Sequence, residues 1–533
     1  MAIEASPASL PAPTQAARPH RTAAPWGAIA AACAVLVCAG PALAVLAMAL
    51  SAPPAAQDAA LMRDSVLGTA LLLAIGGGGA TLLGVACATL VSVFAFPGRG
   101  FFAWALAAPL AAPIYVLAYG YSALTWAGGP LDWPLRGVAG AAFVYALGCY
   151  PYVYLATRAA FAAQSMCALE AARTLGATPI SAILRAALPA AYPGVVAGAA
   201  LAGMEIVADY GAAQHFGVTT ITTGVFRARF AQDAPLLALQ LAALLVLGAA
   251  FLMWIERRAR GRRGYAAGPR WRPAALADAP RWFQIAATIF CAAVVALAFA
   301  LPLGWLARLA SLRPLSDVDG LAAPLFASLA LAGAGALATL AFAAVAASAA
   351  RHGDGWGRAA FLAAGLGYAA PGAVIALGAM SLYAVAREAG LVGGLSAGLG
   401  AALLIWAYVA RFTAVGAQPL EAGLARVSRN VAGAARTLGA SPLQRFWRVD
   451  LPIAAPAAAA GALMAFIEIL KELPATLILR PANVETLAIR AYAYASDERL
   501  TQAAAPALLL TAAGLVPILL FTRALPRLRA GAR

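Results

Sequence analysis

Charged residues are scarce in this chain, and lysine and histidine are nearly absent. Only 11% of the 533 residues are Asp, Glu, Lys or Arg, against roughly 25% in a soluble protein. The three histidines are scattered and no nucleophile constellation is visible, which argues against a membrane enzyme. A phosphate-binding P-loop needs a lysine after glycine and before serine or threonine, whereas the one lysine, Lys471, follows Leu470. The chain therefore has no standard ATP site of its own.

Apolar residues dominate instead, at 63% with a mean hydropathy of +0.83. A helix needs about 20 mostly apolar residues to cross a bilayer, and about twelve such runs occur. They lie near 26–50, 65–96, 101–124, 137–157, 190–212, 234–255, 283–307, 323–350, 359–384, 396–418, 453–479 and 503–522. The runs are apolar on every side, which favours helices over the alternating strands of a membrane barrel. We therefore predict an all-α, multi-pass membrane protein in contact with the lipid bilayer.

Arginine is concentrated in alternate loops, which sets the expected topology. Positively charged loops remain in the cytoplasm, so we expect both termini to be cytoplasmic. The residues 1–25 and 523–533 are expected to be cytoplasmic tails, and 257–282 a basic cytoplasmic linker. A basic run beside a membrane span is a retention signal facing anionic lipid, so we expect no nucleic-acid partner.

Two parts of the sequence repeat. Ala171–Ala177 recurs as Ala434–Ala440, 263 positions later, and each copy leads to a Leu-Pro pair. Ala112-Pro113 recurs as Ala370-Pro371 at an offset of 258. The repeats predict two parallel six-helix halves related by an axis along the membrane normal. The first half is expected at 26–256 with a core at about 65–255, and the second at 283–522 with a core at about 323–522.

The first repeat resembles the Glu-Ala-Ala loop of permeases in binding-protein-dependent ABC importers. The resemblance lies in Glu170-Ala171-Ala172, then Gly176, then Leu188-Pro189. It implies a type I ABC importer permease fold in a bacterial inner membrane, two ABC ATPase subunits on the cytoplasmic face and a periplasmic substrate-binding protein. It also implies ATP and Mg on those partner subunits, with no cofactor on this chain.

In that family the loops form coupling helices that dock on the ATPase subunits. The residues expected to do so here are Glu170, Ala171, Ala172, Arg173, Gly176, Gly433, Ala434, Ala435, Arg436 and Gly439. The second copy departs from the pattern, because Gly433 stands where a glutamate is expected. Either that half couples through its alanines and Gly439 alone, or nearby charges such as Arg436 and Arg445 substitute.

Acidic residues follow each loop inside predicted spans. The 263 offset relates Glu205 to Glu468 and Asp209 to Glu472, and a spacing of four places each pair on one helix face. An ionised group facing lipid costs roughly 2.5 to 3.5 kcal/mol at mid-depth. The four acids are therefore expected to line a translocation path between the halves, without a fixed metal site but with transient cation contact. The alternative is a structural ion pair with Lys471.

A narrower resemblance concerns the cargo. Met204–Gly211, Gln214–Val218, Thr222–Arg227, Lys471–Leu477 and Leu479–Pro481 resemble ferric-iron importer permeases, which implies Fe3+ as substrate. Carboxylates suit such a hard cation. Related permeases for thiamine, polyamines or phosphonates share much of this pattern, so these cargoes remain alternatives. An ion-driven secondary transporter also has two parallel halves, but it offers no reason for the repeated loops.

Overall fold

The described part of the chain is helical. The computed structural model describes residues 25–51, 59–126, 130–131, 135–163, 174, 176, 178–261, 279–312, 319–351, 355–425 and 427–530, and no strand element occurs within these ranges. Ten continuous helices and two bent pairs there are long and apolar enough to cross a membrane, up to twelve spans in all. The prediction of an all-α multi-pass protein is confirmed.

The spans are numbered α1 to α12 in chain order. They are α1 Ala28–Ser51, α2 Ala59–Val93, α3 Arg99–Ala111 with Ile114–Thr125, α4 Gly137–Ala162, α5 Ile183–Ala208, α6 Pro235–Arg258, α7 Arg281–Ser311, α8 Ala322–Ala349, α9 Gly355–Ala369 with Gly372–Glu388, α10 Ala397–Leu424, α11 Phe446–Lys471 and α12 Leu500–Pro517.

The third and ninth spans, predicted at 101–124 and 359–384, are sharply bent, which the sequence prediction did not foresee. The two segments of α3 meet at 92° and those of α9 at 108°. Each second segment starts directly after a proline, Pro113 or Pro371, whose backbone is extended. A proline disfavours helical conformation in the residue before it, so the repeated Ala-Pro pair ends one segment and begins the next.

The same close helix crossing occurs in both halves. A Cβ at Gly198 in α5 would lie 2.6 Å from Cα of Val153 in α4, and a Cβ at Gly461 in α11 would lie 2.8 Å from the carbonyl oxygen of Gly416 in α10. At the 263 offset, Gly198 corresponds to Gly461 and Val153 to Gly416. Small residues let helix backbones approach closely in a membrane, so the repeat in sequence is also a repeat in packing.

The leading helix of each half packs against the other half. Trp406 Nε1 in α10 donates to the carbonyl of Val37 in α1 over 3.1 Å. In the opposite direction, Trp305 Nε1 in α7 donates to the carbonyl of Ala123 in α3 over 3.0 Å. Gly378 and Gly120, on the bent spans, lie against Pro41 and Pro302 of these leading helices. The two halves are thereby interlocked around a central interface.

Candidate functional site

The helices α5 and α11 end immediately before an acidic residue. Asp209 and Glu472 have extended backbones, with φ, ψ of -72°, 135° and -68°, 118°. Each carboxylate accepts a hydrogen bond at the start of the next short helix, Asp209 Oδ2 from Ala212 N at 2.9 Å and Glu472 Oε1 from Ala475 N at 3.0 Å. The predicted spans 190–212 and 453–479 therefore run too far. The expectation that Asp209 and Glu472 share helix faces with the earlier acids is wrong, because they act as caps instead.

These two helix ends meet at a cavity between the halves. Its volume is about 70 Å³, which is room for a few water molecules. Its charged lining comprises Glu205, Asp209, Arg411, Glu468, Lys471 and Glu472. All four acids predicted for the translocation path thus lie around one cavity.

The acids from the second half are ion-paired. Lys471 Nζ lies 2.8 Å from Glu468 Oε1. Arg411 Nη1 lies 2.8 Å from Glu472 Oε2, with the side chains only 11% and 5% exposed. The Arg411 contact is a close ion pair, although its N–H direction does not meet hydrogen-bond geometry. Sequence reasoning missed Arg411, yet a charged residue in the middle of the predicted span 396–418 was a signal of the same kind as the acids.

The neighbouring glycine explains how Arg411 fits. A Cβ at Gly372, the first residue after the α9 bend, would collide with both Glu472 and Arg411. In the first half the large and the small residue are exchanged between the two corresponding positions. Gly148 stands 263 positions before Arg411, and the side chain of Ile114 fills the space beside it. The first half therefore has an apolar contact where the second half has an arginine.

Among the described residues, the first-half acids have no cationic partner from their own half. Asp209 Oδ2 accepts a 2.8 Å hydrogen bond from the Tyr145 hydroxyl in α4 and is held by the backbone of the following helix. Within the described ranges, Glu205 has no hydrogen-bond or ion-pair partner. The cavity thus contains four carboxylates and two cations, and Glu205 and Asp209 are the carboxylates without a paired cation.

Three contacts close the interface between the halves beside the cavity. Lys471 Nζ donates to the carbonyl of Leu110 in α3 over 3.3 Å, and the Tyr115 hydroxyl donates to the carbonyl of Lys471 over 3.5 Å. The hydroxyls of Tyr210 and Tyr492 lie 2.8 Å apart. A cargo that passes between the halves must separate these groups.

The second repeated loop forms a short helix followed by a tight turn. The helix Arg429–Thr437 ends before Gly439, whose φ of 79° is in the left-handed region that glycine adopts without strain. Ala440 N donates to the carbonyl of Ala435 over 3.0 Å, which closes the helix end. Leu438 is 86% exposed at this turn. The loop therefore presents an exposed, partly apolar turn.

One expected partner contact in this loop is made within the chain instead. Arg445 Nε lies 3.1 Å from Asp450 Oδ2, and both side chains are largely buried. This pair is local to the start of α11, since Arg445 directly precedes its first residue, Phe446. The two alternatives for the missing glutamate at Gly433 stay open. The side chain of Arg436 lies outside the described side chains.

The first repeated loop is described only in part. Glu170, Ala171, Ala172 and Arg173 lie outside the described residues. Gly176 is described, is exposed, and has a φ of 84°, matching the 79° of Gly439. The glycine of each repeat therefore has the same left-handed conformation.

Two like halves of membrane-spanning helices, interlocked around a charged cavity, define a membrane transport permease. The family described as the binding-protein-dependent transport system inner membrane component matches residues 80–262 and again 335–530, and the chain belongs to this family. Both matches begin after the leading helix of a half. The chain is also similar to the "Fe(3+)-transport system permease protein FbpB 2" of Haemophilus influenzae (strain ATCC 51907 / DSM 11121 / KW20 / Rd), with 25% identity over 473 residues that cover 87% of this chain and 90% of that protein.

Proposed function

We propose that this chain is the permease subunit that moves ferric iron from a periplasmic binding protein into the cytoplasm, driven by ATP hydrolysis in two separate ABC ATPase subunits. The observation that carries the proposal is the acidic cavity at the interface of the two halves. The similarity to a ferric-iron permease over nearly the whole chain supports the choice of cargo.

The donor set of the cavity suits a hard, highly charged cation. Carboxylate oxygens are preferred by such ions over softer ligands, and Glu205 and Asp209 line the cavity without a paired cation. The other two acids are neutralised by Lys471 and Arg411. The surplus of negative charge favours a cation over a phosphonate, whereas thiamine and polyamines remain the second candidates because they are also cationic.

The mechanism that we propose is alternating access. The loops that end at Gly176 and Gly439 dock on the ATPase subunits, whose closure on ATP moves the two halves relative to each other as rigid bodies. The contacts at Tyr210, Tyr492 and Lys471 then separate and the cavity opens. The permease itself makes and breaks no covalent bond, and ATP and Mg belong to the partner subunits.

The proposed location is a bacterial inner membrane with both termini in the cytoplasm. This orientation puts the two repeated loops and the arginine-rich linker 257–282 on the side where the ATPase subunits lie. It follows the excess of arginine in alternate loops.

Reconstitution tests the proposal. The permease is placed in lipid vesicles with its ATPase subunits, and ATP hydrolysis and uptake are measured with a binding protein loaded with iron, thiamine, a polyamine or a phosphonate. We expect stimulation by the iron-loaded protein. Stimulation by another cargo alone would contradict the choice of iron.

Two controls separate the ABC mechanism from its rivals. The purified chain without ATPase subunits should hydrolyse no ATP, since Lys471 is not in a P-loop. Uptake that continues without the ATPase subunits and collapses with an uncoupler would instead indicate a secondary transporter.

A further inference from the structure

Lys471 joins the two halves at the cavity. Its ammonium contacts Glu468 in its own helix α11 at 2.8 Å and the carbonyl of Leu110 in the first half at 3.3 Å. Leu110 belongs to the short turn Ala108–Ala111 that directly precedes the α3 bend. Ala208 is the residue at the corresponding position of the first half. The ammonium is therefore an asymmetric feature of a site whose acids are otherwise repeated.

Glu205 is the acid that the first half contributes beside Glu468 and Lys471 in the cavity lining. It is the counterpart of Glu468 at the 263 offset, and both carboxylates line the same cavity as Lys471. Glu468 is engaged by the ammonium, whereas Glu205 has no hydrogen-bond or ion-pair partner within the described ranges. The cavity thus contains two symmetry-related carboxylates and one tethered positive charge.

We infer that the Lys471 ammonium is a built-in substitute for the cargo cation, and that a multivalent cation must displace it from Glu468 in order to occupy the cavity. The inference rests on the proposed function in taking the cargo to be a cation. Displacement also removes the hydrogen bond to Leu110, so cargo entry loosens the contact between the halves. Lys471 is in this sense a specificity and gating residue.

Charge explains the selectivity that this arrangement provides. A tethered group competes at high effective concentration, so a free monovalent ion gains nothing over the ammonium already present. Coulomb attraction scales with the product of charges, so a trivalent ion attracts the same carboxylates about three times as strongly. The empty cavity is also stabilised by the lysine, because it compensates an otherwise unpaired, partly buried carboxylate.

Terbium binding tests the inference directly. The full chain is purified in phosphatidylcholine nanodiscs, and Tb3+ is titrated while its luminescence, sensitised by Tyr115 and Tyr152 of the cavity wall, is recorded. Lys471→Gln and Lys471→Met should bind Tb3+ at least tenfold more tightly than the wild type, whereas Lys471→Arg should not. Glutamine retains hydrogen-bond donors, so Lys471→Gln remains informative if the Met variant does not fold.

Two control variants locate the effect. The triple variant Glu205→Gln/Glu468→Gln/Lys471→Gln should lose the gain, because the two carboxylates are absent. Arg490→Gln breaks an ion pair outside the cavity, in which Arg490 Nε and Nη2 lie 2.7 and 2.6 Å from the Glu485 carboxylate and these hydrogen bonds hold the pKa of Arg490 above its ordinary value. Arg490→Gln should leave Tb3+ affinity unchanged.

The outcomes separate this inference from the proposed function. Tb3+ affinity that does not rise in Lys471→Gln, or a rise that persists in the triple variant, would overturn the inference. A rise that depends on both carboxylates supports the inference even if iron-loaded binding protein fails to stimulate the reconstituted transporter. That failure alone would count against iron as the cargo.

Discussion

At the scale of single residues, equivalent positions in the two halves have different chemistry. Asp209 is satisfied by Tyr145 and backbone amides, whereas Glu472 is paired with a buried arginine. The difference depends on space, since Gly372 leaves room for Arg411. A pathway between such halves is asymmetric in charge even though its backbone is repeated.

In the proposed pathway, Glu205 is the residue whose charge matters most for cation transport. Glu205→Gln retains the shape of the side chain but removes the unpaired carboxylate, so we expect at least a tenfold loss of iron uptake at normal folded yield. Asp209→Asn should also reduce uptake without unfolding the protein, because asparagine is an equally good helix cap. Glu485→Gln, outside the cavity lining, is the matched control. Unchanged uptake in both cavity variants would leave these acids a structural role.

Gly372 should tolerate no side chain. A Cβ there would collide with the Arg411–Glu472 ion pair, and overpacking of this kind costs about 1 to 3 kcal/mol. We expect Gly372→Ala to lower the thermal unfolding midpoint in detergent. Gly248→Ala in α6 is the control, because nothing lies within 4 Å of a Cβ at that position. Equal midpoints for the two variants would contradict the close packing at Gly372.

At the scale of helices and loops, sequence reasoning predicted the number and class of the spans but not their breaks. A hydropathy window averages over an apolar stretch, so it cannot detect that Pro113 and Pro371 turn the chain by about a right angle. The ends of α5 and α11 were missed for another reason. Asp209 and Glu472 were treated as helix-face acids, whereas each has a backbone amide three residues later that its carboxylate caps.

Gly439 lies in the turn after the helix Arg429–Thr437, so substitutions there test the turn geometry without changing the helix. Nothing lies within 4 Å of a Cβ at Gly439, so the cost of a side chain there comes from its φ of 79°. A residue other than glycine in this conformation costs roughly 1 to 2 kcal/mol, and asparagine less than alanine. We therefore expect Gly439→Ala to reduce the coupling of ATP hydrolysis to uptake more than Gly439→Asn, with membrane insertion intact.

A control within the same loop tests the explanation. Gly433 lies inside the helix Arg429–Thr437, with nothing within 4 Å of its Cβ position. Gly433→Ala should preserve or improve the helix, because alanine has the higher helix propensity. Equal uncoupling by Gly433→Ala and Gly439→Ala would show that the turn is not the decisive feature. Full uptake by a double Gly176 and Gly439 variant with bulky residues would contradict the coupling role of both loops.

At the scale of the whole molecule, the leading helices determine which parts can move together. The first helix, α1, lies mainly against α9 of the second half, with further contacts to α6 of its own half and to α8 and α10. The halves in sequence are therefore not separate packing units in space. The family matches begin at residues 80 and 335, after both leading helices, which agrees with a core of five spans in each half, α2 to α6 and α8 to α12, against which the leading helices pack.

Crosslinking distinguishes the moving interface from the fixed one. In a cysteine-free background, Tyr210→Cys/Tyr492→Cys places thiols on the two sides of the central interface, whose phenol oxygens lie 2.8 Å apart. A bifunctional thiol reagent long enough to replace the two rings should abolish uptake while ATP binding by the partner subunits persists. The same reagent on Val37→Cys/Trp406→Cys, which joins α1 to α10, should leave uptake largely intact, because both helices move with the second half. Loss of uptake only with the second link would place the moving interface at α1 and contradict a pathway between Tyr210 and Tyr492.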